Sequence, residues 1–411
     1  MTLQIDAREL DPSKIHQINV WSIKQDPVPH FLDWLERGPF YTVMDGDVPS
    51  AVFARYKDVE TIYRDHRRFS SVKPHVKGLD KLDYFNGQPN LAYVDPPQHT
   101  RLRKLVQPAF SPRLVEALAD GIDAKLVQLF SAAEATGPSV EFMGQVAHPL
   151  SAHTLLGLFL GVPEEGNAIF DRLNRGIYML YTMHPGAPKP EEYMRAWQEA
   201  ADYSNRLADE RRRQPREDVV SLLIAAAEVG ERITGDELLG MLLTLYVGGL
   251  SSVAAFLGNG LVLLGRHGDQ RALLVGSPEL ADHAFDEIMR MDSPGTVNFR
   301  FATKDTEVSG LRIWKDMPVY ISQQAAGYDP AMYQDPLRFD ITRRPKILQF
   351  GAGVHLCIGA PIARLVWRRL ITEMNERWPA WRLDGPDQEL RYDEGFPGER
   401  LPNQVRIRIA A

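Results

Sequence analysis

Cysteine is almost absent from this 411-residue chain, which has only Cys357. A lone cysteine forms no intrachain disulfide and lacks the companions that a zinc or iron–sulfur site needs. It fits a reducing cytoplasm, the expected location. Residues 1–30 carry Asp6, Arg8, Glu9, Asp11 and Lys14 without an apolar run, so neither signal peptide nor membrane anchor is expected there. No low-complexity tract, repeat or linker interrupts the sequence. No Gly-x-Gly-x-x-Gly opens a β-α unit, which leaves out a built-in nicotinamide or flavin module. Basic excess is lacking too: the net charge of −7 argues against nucleic-acid binding as the main role. Charge of either sign disappears between Leu238 and Gly265. A run of that length could cross a bilayer. However, it holds six glycines with Thr244, Ser251, Ser252 and Asn259, and no aromatic or basic belts, so it reads as a core helix and no membrane partner is expected.

What remains is the composition of a soluble globular protein, 44% hydrophobic and 25% charged. Apolar β-formers flanking Asp45-Gly-Asp-Val-Pro49 predict a hairpin over 39–55. Helical spacing follows over 57–69, then an irregular stretch over 72–97. Helices are predicted near 99–108, 111–135, 140–161, 167–181, 190–213, 217–228, 235–265, 268–275 and 279–291. Short strands are expected near 297–301, 306–308, 311–313 and 317–322, then a proline-punctuated coil over 325–350 and a helix to about Trp378. The fold class is mostly α with small β-sheets near the N-terminus and the tail, as one domain over 1–411.

The single cysteine lies in Phe350-Gly-Ala-Gly-Val-His-Leu-Cys-Ile-Gly359, just before Ala360-Pro361-Ile-Ala-Arg364 begins a helix. Glycines let the backbone turn tightly and approach a bulky group. Nearby amides and a helix N-terminus stabilise negative sulfur. The arrangement suits a thiolate ligand to haem iron. Its aromatic-Gly-x-Gly-x-His-x-Cys-x-Gly pattern resembles the haem-binding loop of cytochrome P450 enzymes. The resemblance extends over about residues 20 to 405 and implies the P450 fold, a single large helical domain around a buried haem b bound through Cys357, with Phe350 at the head of the loop.

The resemblance also implies roles elsewhere. Glu287 and Arg290, one helical turn apart, match the family's Glu-x-x-Arg pair, with Arg338 expected as its third, basic member. His99, Arg103, Arg300 and His355 stand where the family binds the haem propionates. Adjacent glycines cost about 1 kcal/mol each in a helix, so Gly248-Gly249 is expected to kink the helix beside the dioxygen site. Tyr246-Val-Gly-Gly-Leu-Ser-Ser-Val253 is similar to the corresponding run of bacterial camphor hydroxylases. Those enzymes have an acid followed by threonine, a pair that relays protons. Here Ser251 replaces the acid and Ser252 the threonine, so Gly248, Ser251 and Ser252 form the candidate catalytic set, with Ser252 as the relay alcohol. Serine cannot ionise at neutral pH, which leaves the proton supply to water or another carboxylate.

Substrate contacts are expected from Tyr84, Phe85, Leu91, Met179, Tyr181, Met183, Thr244, Val247, Leu250, Val297 and Phe396. This apolar set suits a small hydrophobe of terpenoid or norisoprenoid type. The implied reaction is hydroxylation with dioxygen and two electrons from a separate ferredoxin and its reductase. That partner would dock on the cysteine side near Arg101, Arg103 and Lys104. The alternatives are a peroxide-driven or non-oxygenase haem-thiolate enzyme, and a non-catalytic haem carrier or gas sensor. The first loses ground because the glycine-rich helix has no arginine to hold a substrate carboxylate.

Overall fold

The helical periodicities, with Pro27–Arg37 that they did not mark, become eleven helices of nine or more residues in a computed structural model that describes residues 5–6, 16–17, 24–45, 48–72, 85–181, 188–228, 235–385, 390–393 and 398–409. They include Gln98–Val106, Ala119–Ala135, Glu164–Tyr181, Glu191–Arg213, Val219–Glu228, Gly235–Arg266, Gly268–Gly276, Ala281–Asp292 and Ala360–Arg377. Gly235–Arg266, hereafter the central helix, is the charge-free run. It packs against His148–Ala152, Ala281–Asp292 and Glu191–Arg213. Long and apolar enough to cross a membrane, it is instead mostly enclosed by the protein. Gly240 shows why glycine recurs along it, because a Cβ there would lie 2.0 Å from the Pro89 carbonyl oxygen.

Three departures from the expected elements have local causes. The helix predicted over 57–69 ends at Arg64, and Phe69–Ser70 leaves it as an edge strand. The helix predicted over 111–135 breaks after Glu116, where Leu118 N–H turns back to the Val115 carbonyl at 3.1 Å. The segment 140–161 opens with strand Ser139–Glu141 and then widens into π-type turns on both sides of His148–Ala152. Pro149 brings no N–H to that helix. Farther along, Leu160 N–H reaches the Leu155 carbonyl at 2.9 Å, five residues back.

The strands are less segregated than expected. The hairpin Tyr41–Asp45/Val48–Phe53 lies in a six-stranded sheet, where Val48–Phe53 runs parallel to Pro318–Ile321 with Ala51 opposite Val319. Asn298–Ala302 and Phe69–Ser70 complete its far edge. A second sheet joins Ile5–Asp6 to Leu311–Ile313 and Thr306–Val308. The tail strand Arg406–Arg408 pairs between Arg382–Leu383 and Ser139–Glu141. Helix Tyr56–Arg64 lays Val59, Ile62 and Tyr63 into the six-stranded sheet's core, which also receives Leu348 and Ala352 from the cysteine loop. The sheet is thus the floor on which that loop rests.

The irregular 325–350 stretch is held by one buried ion pair. Arg290 donates to both Glu287 oxygens, from Nε at 2.8 Å and Nη2 at 2.7 Å, and both side chains are fully buried. Its remaining N–H groups reach the carbonyls of Gly327 at 2.6 Å, Pro336 at 2.8 Å and Arg338 at 3.2 Å. The third basic side chain is Arg343, whose Nε lies 3.2 Å from Glu287 Oε1. Arg338, expected there from sequence, contributes only its carbonyl, and its side chain is 68% exposed. The Asp340 N–H also donates to Glu287 at 3.2 Å, and this turn brings Arg343 rather than Arg338 to the pair.

Removing one partner of a buried pair leaves an uncompensated charge worth about 3–5 kcal/mol. We therefore expect Glu287→Gln to lower the urea midpoint severely or prevent folding. Arg343→Ala should cost about 1–3 kcal/mol and Arg338→Ala less than about 0.5 kcal/mol. Urea titrations of the three purified variants check the order; equal losses for Arg343→Ala and Arg338→Ala would contradict it.

Candidate active site

The cysteine loop is closed by backbone bonds before any side chain acts. Cys357 N–H donates to the Phe350 carbonyl at 2.8 Å, and Gly351 N–H to that of Leu348 at 2.8 Å. Gly353 has φ +71°, and a Cβ there would sit 2.8 Å from the Tyr63 carbonyl oxygen, so the loop can lie against Tyr56–Arg64 only with glycine at this position. Beyond it, Ile362 and Ala363 N–H groups turn back to the Gly359 carbonyl, starting a helix with Pro361 in its first turn. The Cys357 side chain is accessible to solvent. Neighbouring protein still encloses the sulfur closely enough for burial to push its pKa up, while the Gly359 and Ala360 amides and the Arg103 guanidinium pull it down. Those three groups all favour the thiolate. Phe350 stacks on Phe285, rings 5.9 Å apart, and Phe285 continues to Phe256 on the central helix at 4.4 Å. Phe350 thus braces the loop against the core.

Four predicted side chains gather beside this loop. The His99 and His355 rings are 4.2 Å apart. Arg103 Nη1 donates to the Val354 carbonyl at 3.2 Å. Arg300, on strand Asn298–Ala302, is buried, lies over the Tyr63 ring at 5.4 Å and donates to the Phe299 carbonyl at 2.7 Å. Among the described residues, neither arginine forms an ion pair. Burial lowers the pKa of Arg300 and that of Arg103. Burial also pulls His99 down to about 4, with His355 and Arg103 adding to the effect, and it lowers His355 against the opposing pull of Asp95. Asp95 is the residue that sequence reasoning left unassigned. It accepts from Ser70 Oγ and from Ser71 N–H at 3.2 Å, and lies 3.4 Å from His355 Nε2. A desolvated cluster of cationic and imidazole groups holding one already-engaged carboxylate calls for anionic partners. Together with the single amide-supported sulfur, this donor set fits a haem with two carboxylates.

The central helix supplies the opposite wall. Most of it is buried, but 247–253 is accessible, and Gly248 has open space where a Cβ would stand. The helix runs unbroken through this stretch, with side-chain hydroxyls bonded to its carbonyls. Ser252 Oγ donates to Gly248 O at 2.7 Å, and Ser151 Oγ donates to Leu250 O at 2.6 Å. Ser251 instead faces the carboxyl of Glu399, on which it acts to favour the ionised form; Glu399 is a buried residue from the C-terminal turn that sequence reasoning missed. Nothing near position 399 in the sequence marks it, since the contact is made only by the fold.

Phe85 and Leu91 are buried, with Val247, Leu250 and Val297 partly buried against the same core. Thr244 bonds its hydroxyl to the Gly240 carbonyl at 2.7 Å. Met179 is 37% exposed. It follows Asp171 and Arg175 at four-residue steps, on the charged face of Glu164–Tyr181. Tyr181 ends that helix, and its side chain is outside what is described; Tyr84, Met183 and Phe396 lie outside the described residues. Of the proposed docking cations, Arg101 forms an ion pair with Glu237 at the foot of the central helix, while Lys104 is exposed.

The Cytochrome P450 family model matches residues 18–273 and 278–377. The 6-deoxyerythronolide B hydroxylase of Saccharopolyspora erythraea is 33% identical over 306 residues, 74% of this chain and 74% of that protein. The polyketide biosynthesis cytochrome P450 PksS of Bacillus subtilis is 30% identical over 353 residues, 84% of this chain and 85% of that protein. Among solved structures, the P450 enzyme CxnD for C–S bond formation in chuangxinmycin biosynthesis superimposes with a TM-score of 0.86. It is 27% identical, with 98% of this chain and 99% of that one covered. These relatives correct the subfamily expectation, since the similarity to camphor hydroxylases rests mainly on the central-helix run.

Burial pushes the Glu399 carboxyl from 4.5 up to about 7, Asp393 adding to the rise and Ser251 and Lys24 opposing it. The folded protein therefore keeps this proton while the unfolded chain releases it, and stability falls as pH rises from 4.5 to about 7. Glu399→Gln removes that loss. We expect the variant to gain about 2 kcal/mol on the parent between pH 5 and pH 8. Urea unfolding at both pH values would show it, and a gap that does not change with pH would refute the buried acid.

Proposed function

The chain belongs to the cytochrome P450 family, and we propose that it hydroxylates a compact, apolar, terpenoid-like molecule with electrons delivered by a ferredoxin. It is a monooxygenase whose haem is held through the thiolate of Cys357. When bound, the haem activates dioxygen so that one of its atoms enters the substrate. The chain's own part is to hold, orient and protonate. Arg103, Arg300, His99 and His355 hold the two haem carboxylates, with Asp95 fixing the His355 ring. The Gly359 and Ala360 amides favour the anionic sulfur against the burial that raises its pKa.

The observation that carries the reading is the accessible 247–253 stretch of an otherwise buried helix. The open space at Gly248 and the partial exposure of Ser252 support a small molecule lying against them. Phe85, Leu91, Val247, Leu250 and Val297 bind the substrate through its apolar surface, and Thr244, already bonded to its own helix, adds packing more than polarity. A second reading, a polyketide-derived substrate, is favoured by the relatives named for 6-deoxyerythronolide B and for polyketide biosynthesis. Lys104 and the exposed Leu356, next to Cys357, mark the face on which the electron donor docks.

Optical titration of the ferric protein with monoterpenoids, norisoprenoids and macrolactones separates the two readings. We expect a low-spin to high-spin shift with the terpenoid class; a shift confined to macrolactones would transfer the assignment to the second reading. We also expect Arg300→Leu to lose haem to apomyoglobin about tenfold faster, the loss of a charge-assisted hydrogen bond of about 1.5–3 kcal/mol. An unchanged transfer rate would remove Arg300 from the haem-carboxylate set.

A further inference from the structure

Position 251 carries no ionisable group, yet the fold brings one to it. Glu399 lies on the returning arm of a C-terminal turn clamped to the segment 294–296. It forms a β-bridge with Gly295, while Thr296 N–H donates to the Gly398 carbonyl at 3.0 Å and Arg400 N–H to that of Pro294 at 2.7 Å. These bonds fix the Glu399 backbone on both sides. The side chain is buried, and the same turn is tied to the central helix by Asn259 Nδ2, which donates to the Arg400 carbonyl at 3.1 Å, so that the Ser251 hydroxyl acts on the Glu399 carboxyl.

The charges around Glu399 leave it uncompensated. Arg400, its neighbour in sequence, is committed to Asp292 and lies over the Tyr392 ring at 3.7 Å. The cation that influences Glu399 is Lys24, buried and ion-paired with Asp393 at 3.0 Å. Asp393 stands opposite Leu401 in the same turn, with its N–H donating to the Leu401 carbonyl at 2.9 Å. It therefore shares a face with Glu399, two residues from Leu401, and adds negative charge beside it. From the 294–296 side the polar groups are neutral: Ser293 Oγ and Gln323 Nε2 donate to the Gly295 carbonyl at 2.7 and 3.1 Å. A carboxyl so placed holds a proton near neutral pH and can both give and take one.

We propose that Glu399 supplies the carboxyl function of the central helix, acting through the Ser251 hydroxyl in place of the acid that position 251 lacks. The inference rests on the oxygenase function and is independent of which substrate is correct. In the relay, the Glu399 carboxyl gives its proton to the Ser251 oxygen as the Ser251 hydroxyl proton leaves toward the Gly248–Ser252 face. Ser251 ends neutral. The carboxylate left behind recovers a proton from solvent at the Asp393 edge, where that side chain is 21% exposed. No electron moves in these steps. Glu399 is a positioning and proton-supplying residue, since it acts through Ser251.

The test uses the holoprotein and three variants: Glu399→Gln, Glu399→Asp and Ser251→Ala. Infrared spectra of the resting protein across pH should contain a protonated-carboxyl band that titrates near neutrality. That band should vanish in Glu399→Gln and shift in Ser251→Ala. With a surrogate ferredoxin and reductase and the panel compound giving the largest spin shift, Glu399→Gln should lower coupled product formation by about tenfold to a hundredfold. It should also flatten the pH profile and leave the spectral Kd within about twofold of the parent, with Glu399→Asp recovering part of the loss. Coupling and pH profile unchanged in Glu399→Gln would overturn the proposal, as would a band indifferent to Ser251→Ala. Weakened substrate affinity with coupling intact would also overturn it and make Glu399 a substrate anchor. The infrared readout needs no turnover, so failure of the oxygenase reading would appear separately, as a parent protein that forms no product.

Discussion

Arg290 has five N–H donors and, once buried, nowhere to direct them except the chain around it. Two go to Glu287 and the rest to carbonyls of Gly327, Pro336 and Arg338. Those carbonyls belong to a proline-rich stretch that forms no sheet ladder and little helix, and would otherwise have no reason to adopt one path. Arg343 and the Asp340 amide return to the same carboxylate. The stretch leads directly into the cysteine loop, so the position of the sulfur depends on this buried cluster many residues away. The cost of desolvating the charges is offset because the pair satisfies backbone groups that no regular structure would satisfy.

The central helix faces the opposite demand. A helix through the middle of a domain is stabilised by burying all of its sides, yet this one must leave a stretch uncovered for chemistry. It does so by residue size. Small residues at 248, 249, 251 and 252 interrupt a run of leucines, and hydroxyls from Ser151 and Ser252 bond to carbonyls in the weakened stretch. The same device explains why a segment apolar enough for a membrane belongs in a protein interior: its polar side chains are few, and the hydroxyls of Thr244 and Ser252 bond to its own carbonyls.

Local signals were the legible ones. Helix positions followed from periodicity, and the sulfur site from one loop whose glycines and lone cysteine admit few other uses. His99, Arg103, Arg300 and His355 were found because they flank recognisable motifs, and the fold does bring them together. What stayed hidden depended on register or on pairing between distant segments. Whether Arg338 or Arg343 reaches Glu287 is decided by a turn at Asp340 that no periodicity announces. Glu399 is held near the central helix by a β-bridge to Gly295, and a bridge of one pair leaves no pattern in sequence.

The four side chains beside the cysteine loop come from three separated segments, near residues 99–103, 300 and 355–357. During synthesis, the ribosome therefore releases more than two thirds of the chain before a second segment of the set emerges. The helix that orients the sulfur is complete only at Arg377. No early fragment contains both the sulfur and the cations that would balance a dianionic prosthetic group. Capture of that group is then necessarily a late event, completed on a nearly finished chain. Until then, a polar, half-assembled cleft must stay soluble by itself. A chain truncated anywhere before residue 357 would be released as apoprotein whatever the supply of haem in the cell.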